Sequence, residues 1–290
     1  MGLKMENALA EHDSIALDSV LEKVYQDGGY DFRDYKRGVV MRRLARRLHA
    51  TGTRTYPEYI QFLDTHPEEY QKFAEYLTIK ISSFFRNSYT FQQIAGLVLP
   101  ELVSHKRKQR ERSLRFWSTA CARGEEPYSI AILLAEFWGH GREDFDSLIY
   151  ATDISQQALD EAQAGIYSLK DIEGLPDNIL ESYFNHRGEN YEVRADIRQM
   201  VKFSYFDLSS DIRPPFMGMD CIFCCNVLIY LQEKLQERVL GMLYDSLATP
   251  GYLILGEAET LTGNLRGKVE CLDSKARIYK KNRTNAVSKK

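Results

Sequence analysis

The chain has 290 residues, 44% apolar and 12% aromatic, an ordinary globular composition with length for one large or two smaller domains. A formal net charge of −3 excludes polyanion binding by bulk charge, and no run approaches the roughly 20 apolar residues of a membrane helix. The start, Met1-Gly2-Leu3-Lys4, is no export signal, and five cysteines, an odd number, favour a reducing compartment over a disulfide framework; together these predict a cytoplasmic protein.

Residues 1–90 read as helices. Ile15, Leu17, Val20, Leu21 and Val24 recur at helical spacing, and Asp27-Gly28-Gly29-Tyr30-Asp31 stops the run with turn chemistry. Thr55 is placed as an N-cap before Tyr56-Pro57-Glu58, and a further helix spans Glu68 to Leu77 after His66-Pro67. Residues 91–113 read as a helical, basic linker, with Lys106, Arg107, Lys108, Arg110 and Arg112 in an exposed connector at 104–113. From Leu114 short apolar strands alternate with helices: strands at 114–119, 148–154, 201–208, 219–229 and 252–256, helices at 125–138, 156–164 and 232–247. Continuous apolar strands alternating with helices predict a mostly parallel sheet covered on both faces. Lys268–Leu272 and Ala276–Tyr279 read as a closing antiparallel hairpin. The fold class is thus α/β over 114–290, preceded by a small all-helical domain, with a short β-subdomain at 184–203.

The first strand runs into Thr119-Ala120-Cys121-Ala122-Arg123-Gly124-Glu125-Glu126 and then a helix. Small residues at 120, 122 and 124 allow a tight turn and close approach of a ligand. Glu125 and Glu126 in the first helical turn would repel a pyrophosphate, whereas Asp153, ending the second strand, suits ribose hydroxyls. A ligand with a ribose and positive charge fits, and S-adenosylmethionine is one. The alternative is that Ala120, Ala122 and Gly124 only pack a helix closely on a strand.

Longer blocks are more specific. WSTACARGEEPYSIAILL, ATDISQQALDEAQAGIY, CIFCCNVLIYL and PGYLILGEAE, with LTIKISSFFRN upstream, resemble in order and spacing the chemotaxis receptor protein-glutamate O-methyltransferase family (CheR-type) over residues 31–279. The resemblance implies a Rossmann-like S-adenosylmethionine methyltransferase domain behind a helical domain that docks the receptor. It implies esterification of chemoreceptor glutamates and S-adenosylhomocysteine as product. It places cofactor contacts on Lys80, Ser82, Arg86, Glu125, Asp153, Asp207, Leu208, Cys225 and Asn226. Lys80 stands where the family commonly has Asn, Ser82 where it has Thr and Cys225 where it has Arg. Arg86 and Tyr230 are the candidate catalytic residues: Arg86 to orient the cofactor carboxylate, and Tyr230 to line the pocket mouth or, equally, to cap a strand as a core aromatic. A glutamate is already ionised at neutral pH, so no general base is required, and no such arrangement is evident.

Residues 33–54 hold eight Arg or Lys and one acid, Asp34. Lys36, Arg37, Arg42, Arg43, Arg46 and Arg47 are placed on one side of a helix, opposite Val40, Met41, Leu44, Ala45 and Leu48. Such a face is either solvated surface or a docking surface, and glutamate-rich receptor helices make Arg42, Arg43, Arg46 and Arg47 docking residues. Nucleic acid is the competing partner. The expected partner is the cytoplasmic helical region of chemoreceptors, met by a monomer without nucleic acid, membrane insertion or metal. The β-subdomain looks abbreviated, against a peptide tether to the receptor. Cys221, Cys224 and Cys225 read as small buried residues, and Glu257 and Glu259 as exposed loop carboxylates rather than groups facing the pocket. Methyl transfer to RNA or a small molecule, or a degenerate cofactor-binding signalling module, would use the same fold.

Overall fold

Helical periodicity in the first quarter of the chain forms α1 (Gly2–Gly28), α2 (Arg37–Thr51), α3 (Tyr56–Thr65) and α4 (Glu68–Leu77). The structure is a computed structural model that describes residues 2–78, 81–139, 145–209 and 213–281. Spacings of three and four put Leu17, Val20, Leu21 and Val24 on one buried stripe of α1, but Ile15 falls outside it and is 64% exposed. The stripe meets Val40, Leu44 and Leu48 from α2, Tyr59 and Leu63 from α3, and Phe73 and Leu77 from α4, all buried. Phe32 packs edge-on against Phe73 at 6.0 Å between ring centres. Thr55 does cap α3, its hydroxyl accepting the Glu58 N–H at 3.3 Å. These helices, with Ser209 and Tyr230–Leu235, form one compact unit.

The second unit is built on a seven-stranded sheet. Its strands are β1 (Ser113–Thr119), β2 (Asp146–Asp153), β6 (Val201–Tyr205), β7 (Met219–Cys224), β8 (Leu247–Leu255), β9 (Val269–Asp273) and β10 (Ile278–Lys281), ordered β6-β2-β1-β7-β8-β10-β9. Pairing is parallel except along β10, which runs antiparallel to β8 and β9. All six residues of β7 are buried, as a strand covered on both faces requires. The predicted β7 continued to Ile229; it ends at Cys224 because Asn226 adopts φ +61° and the chain turns. Helices α7 (Glu125–Trp138), α8 (Gln156–Ala164) and α11 (Glu233–Ser246) follow β1, β2 and β7.

Two regions depart from the expected layout. The basic run at 104–113 is mostly exposed, as expected, but the helices leading into it, α5 (Ser88–Gln93), a π turn (Ile94–Val98) and α6 (Leu99–Lys108), bury Ile94, Val98, Leu99 and Leu102 in the second unit. There Lys106 is 5% exposed because it pairs with buried Asp220 at 2.9 Å and with Glu111 at 2.8 Å. Between β2 and β6 lies a separate sheet ordered β3-β5-β4, made of β3 (Ile166–Ser168), β4 (Phe184–Arg187) and β5 (Asn190–Val193), flanked by α9 (Asp177–Tyr183) and α10 (Ala195–Arg198). β4 and β5 lie within the segment 184–203 read as a short β-subdomain, and β3 lies before it. Among the described residues no helix is long and apolar enough to cross a membrane.

Candidate active site

The sheet reverses its winding between β1 and β7, since the chain moves outward through β2 and β6 before returning to β7. At such a point the loops leaving the carboxyl ends of two neighbouring strands part and leave a crevice. The loop after β1 holds Ala120 at φ +52° and Ala122 at φ +49°, a conformation costing alanine about 1 kcal/mol per residue. Hydrogen bonds over-determine it: the Cys121 N–H donates to the Thr152 carbonyl at 2.9 Å, and the Ala122 N–H donates to Asp153 Oδ2 at 2.9 Å. Gly124 has φ +93°, and a Cβ there would lie 3.0 Å from Ala162 Cβ and 3.1 Å from the Tyr167 hydroxyl. No larger residue fits this entry to α7.

Glu125 and Glu126 open α7, as their place in the sequence predicts. Glu125 is 2% exposed, and burial pushes its carboxyl above the usual range while the Ser82 side chain helps the ionised form. Its Oε2 is buried and accepts no hydrogen bond among the described residues. Glu126 Oε1 accepts the Ser118 hydroxyl at 2.6 Å. Burial pushes the Glu126 carboxyl up to about 7; Ser118 and Cys225 oppose the rise, the Glu259 charge adds to it, and the Arg86 charge lowers it.

The segment carrying Ser82 and Arg86 is fastened to α7, because the Phe85 N–H donates to Ser129 Oγ at 2.8 Å while Ser129 donates to the Glu125 carbonyl at 2.6 Å. Arg86 is exposed and donates to the Ile81 carbonyl at 3.1 Å. Asp153 is 8% exposed, and its two oxygens take the Ala122 and Ser155 N–H groups, each at 2.9 Å. Asp207 and Leu208 follow β6 and are half-buried; this strand end is joined to the crevice by the Phe206 N–H, which donates to the Asp153 carbonyl at 3.1 Å. Cys225 and Asn226 leave β7.

Ser82, Arg86, Glu125, Asp153, Cys225 and Asn226 thus occupy the second unit around one crevice. Lys80 lies outside the described residues. Tyr230 falls in the first unit, where its carbonyl accepts the Lys36 N–H at 2.8 Å. Ser118, which precedes the loop inside β1, carries no sequence signal, and Glu259, read as exposed rather than facing the pocket, is 3% exposed and accepts backbone N–H groups from Asn226, Leu228 and Gly256. Glu257 is exposed, as expected. A loop has no period by which to sort two acids, so nothing in the sequence separates them.

The docking set of the first unit divides in two. Arg42 and Arg46 are exposed, together with Met41 and Ala45 from the expected apolar side. Arg43 instead donates to the Tyr76 carbonyl, and Arg47 forms a bidentate pair with Glu69 at 2.8 and 2.6 Å. The buried stripe of α2 is only Val40, Leu44 and Leu48, and arginines on its flanks turn inward.

The donor set fits S-adenosylmethionine: buried Glu125 has an oxygen with no hydrogen-bond partner among the described residues to face a cation, Asp153 ends β2 where a ribose would lie, and the basic side chain of the loop between them, Arg123, is paired with Asp171 and Glu161. Crevice and sheet order are those of a Rossmann-like, S-adenosylmethionine-dependent methyltransferase. Residues 80–278 match the CheR methyltransferase SAM binding domain and residues 15–78 the CheR methyltransferase all-alpha domain. The chain belongs to the CheR methyltransferase family. It is 33% identical over 273 residues to the chemotaxis protein methyltransferase of Salmonella typhimurium (91% of this chain, 90% of the relative) and 32% identical over 251 residues to that of Borreliella burgdorferi (86% and 89%). An uncharacterized 104.1 kDa protein of Rhodobacter capsulatus is 34% identical over 275 residues, of which this chain spans 94% of itself and 28% of the relative.

Proposed function

We propose that the protein methylates glutamate side chains on the cytoplasmic helices of a chemotaxis receptor, giving methyl esters. The observation that carries this reading is the match to both CheR domains together with relatives named chemotaxis protein methyltransferases, which this chain parallels over about nine-tenths of their length. S-adenosylmethionine, when bound, supplies an electrophilic sulfonium methyl. The acceptor carboxylate would take that methyl and leave S-adenosylhomocysteine as the product. Glu125 would hold the ligand's cationic end, Asp153 the ribose, and Ser82, Arg86, Asn226, Asp207 and Leu208 the remaining rim. The acceptor arrives ionised and the two charges cancel, so the protein's task is to align and to exclude water. Labelled methyl transfer to receptor cytoplasmic fragments, released as a base-labile ester, tests the reading; labelled RNA with unlabelled receptor would overturn it.

Receptor glutamates would meet the exposed arginines of α2. Reversing both charges, Arg42→Glu with Arg46→Glu, is expected to lower receptor methylation at least about tenfold, more at low salt, with S-adenosylhomocysteine affinity unchanged. Full activity in this variant would remove α2 from receptor docking.

Glu126 sets a pH dependence. Its carboxyl titrates at about 7 in the free protein. A cationic ligand in the crevice favours the ionised form, so binding lowers this pKa and releases a proton. Affinity for S-adenosylmethionine should therefore rise as pH passes upward through 7, and a one-unit drop on binding makes it about tenfold tighter well above 7 than well below. Calorimetry across that range should show the rise in the native chain and a flat profile in Glu126→Gln; the same slope in both would refute the assignment.

A further inference from the structure

We infer that Glu259 is a positioning residue for the cofactor crevice: it fixes the left-handed turn at Asn226 and thereby the orientation of the Asn226 side chain. The inference rests on the reading of Asn226 as a cofactor contact. Glu259 follows β8 by four residues and folds back beneath the loop that leaves β7. Its Oε2 accepts the Asn226 N–H at 2.8 Å and the Gly256 N–H at 2.8 Å, and its Oε1 accepts the Leu228 N–H at 2.7 Å. One carboxylate thus ties the ends of two adjacent strands together. Without it, donors in a buried loop would be left unpaired, and backbone donors seldom tolerate that.

The turn itself needs support. Asn226 sits at φ +61°, which asparagine adopts more readily than most residues but which remains uncommon off glycine. Space around it is closed. A Cβ on Gly256 would lie 2.7 Å from Glu259 Oε2, 2.9 Å from the Asn226 nitrogen and 3.1 Å from Asn226 Nδ2. Glycine at 256 and glutamate at 259 are two parts of one clamp, and what they grip is the residue read as a cofactor contact.

The test is a double-mutant cycle on the full chain, with S-adenosylhomocysteine as the titrated ligand. Glu259→Gln leaves an amide NH2 facing backbone donors, and Asn226→Ala removes the side chain being positioned. Each single change should weaken binding about tenfold, and the double variant should bind within about twofold of Asn226→Ala alone, because the clamp has nothing left to position. In turnover, Glu259→Gln should raise KM for S-adenosylmethionine and leave KM for the receptor fragment unchanged, a split that general loosening of the fold would not give. Multiplying effects, to about a hundredfold in the double variant, overturn the positioning role while leaving Asn226 as a contact. No effect of Asn226→Ala on affinity overturns both. Should Glu259→Gln fail to fold, Gly256→Ala presses on the same oxygen and the same nitrogen; a folded Gly256→Ala chain with undiminished affinity overturns the inference.

Discussion

Replacing Asp153 with alanine is expected to weaken S-adenosylhomocysteine binding by at least about 100-fold. The substitution does two things at once. It removes the carboxylate proposed to receive the ribose, and it strands the Ala122 and Ser155 N–H groups that the carboxylate holds at 2.9 Å. Hydrogen bonds to a charged group contribute about 1.5–3 kcal/mol, so losing a pair of them to the ligand corresponds to two or more decades in affinity. The stranded amides add to this by releasing a loop whose two alanines already sit in left-handed conformations. Asp153→Asn keeps one carbonyl acceptor and should fall between the alanine variant and the native chain. Calorimetric titration decides the matter: native affinity in a folded Asp153→Ala chain would remove Asp153 from the site.

The same residue shows how far the sequence could be read. A carboxylate at the end of a second parallel strand was legible because strand, loop and helix are each encoded locally, by apolar runs, small residues and turn chemistry. That it holds the loop after β1 was not legible, since the partner amide of Ala122 lies 31 positions away. Helices α7 and α8 were read with their observed bounds because Gly124, Ser155 and Gly165 mark their ends. The end of β7 was misplaced because NVLIY is as apolar as the strand before it, and only the tertiary contact with Glu259 turns the chain at Asn226. Lys106 looked like solvated surface among its basic neighbours, but buried Asp220, 114 positions later, draws it inward. Period and composition report on local structure and not on partners distant in the chain.

Arg47 carries the largest expected effect on stability. The cationic pattern of α2 makes it look equivalent to Arg42 and Arg46, but its side chain is 17% exposed and forks onto a Glu69 that is 3% exposed. Glu69 Oε1 also accepts the Tyr59 hydroxyl at 2.8 Å, so three helices meet on one buried carboxylate. Arg47→Ala leaves that carboxylate without its cation, which for a buried pair costs about 3–5 kcal/mol. Arg42→Ala, on the exposed face, should change stability by less than about 0.5 kcal/mol. Arg47→Lys keeps the charge but cannot reproduce the planar two-point contact, so it should fall between them. Urea unfolding followed by far-ultraviolet circular dichroism measures all three, and an Arg47→Ala midpoint equal to that of Arg42→Ala would show that Glu69 finds another partner. Loss of receptor methylation in an Arg47 variant therefore reports on the integrity of the helical unit, and only Arg42 and Arg46 can reveal whether α2 meets the receptor.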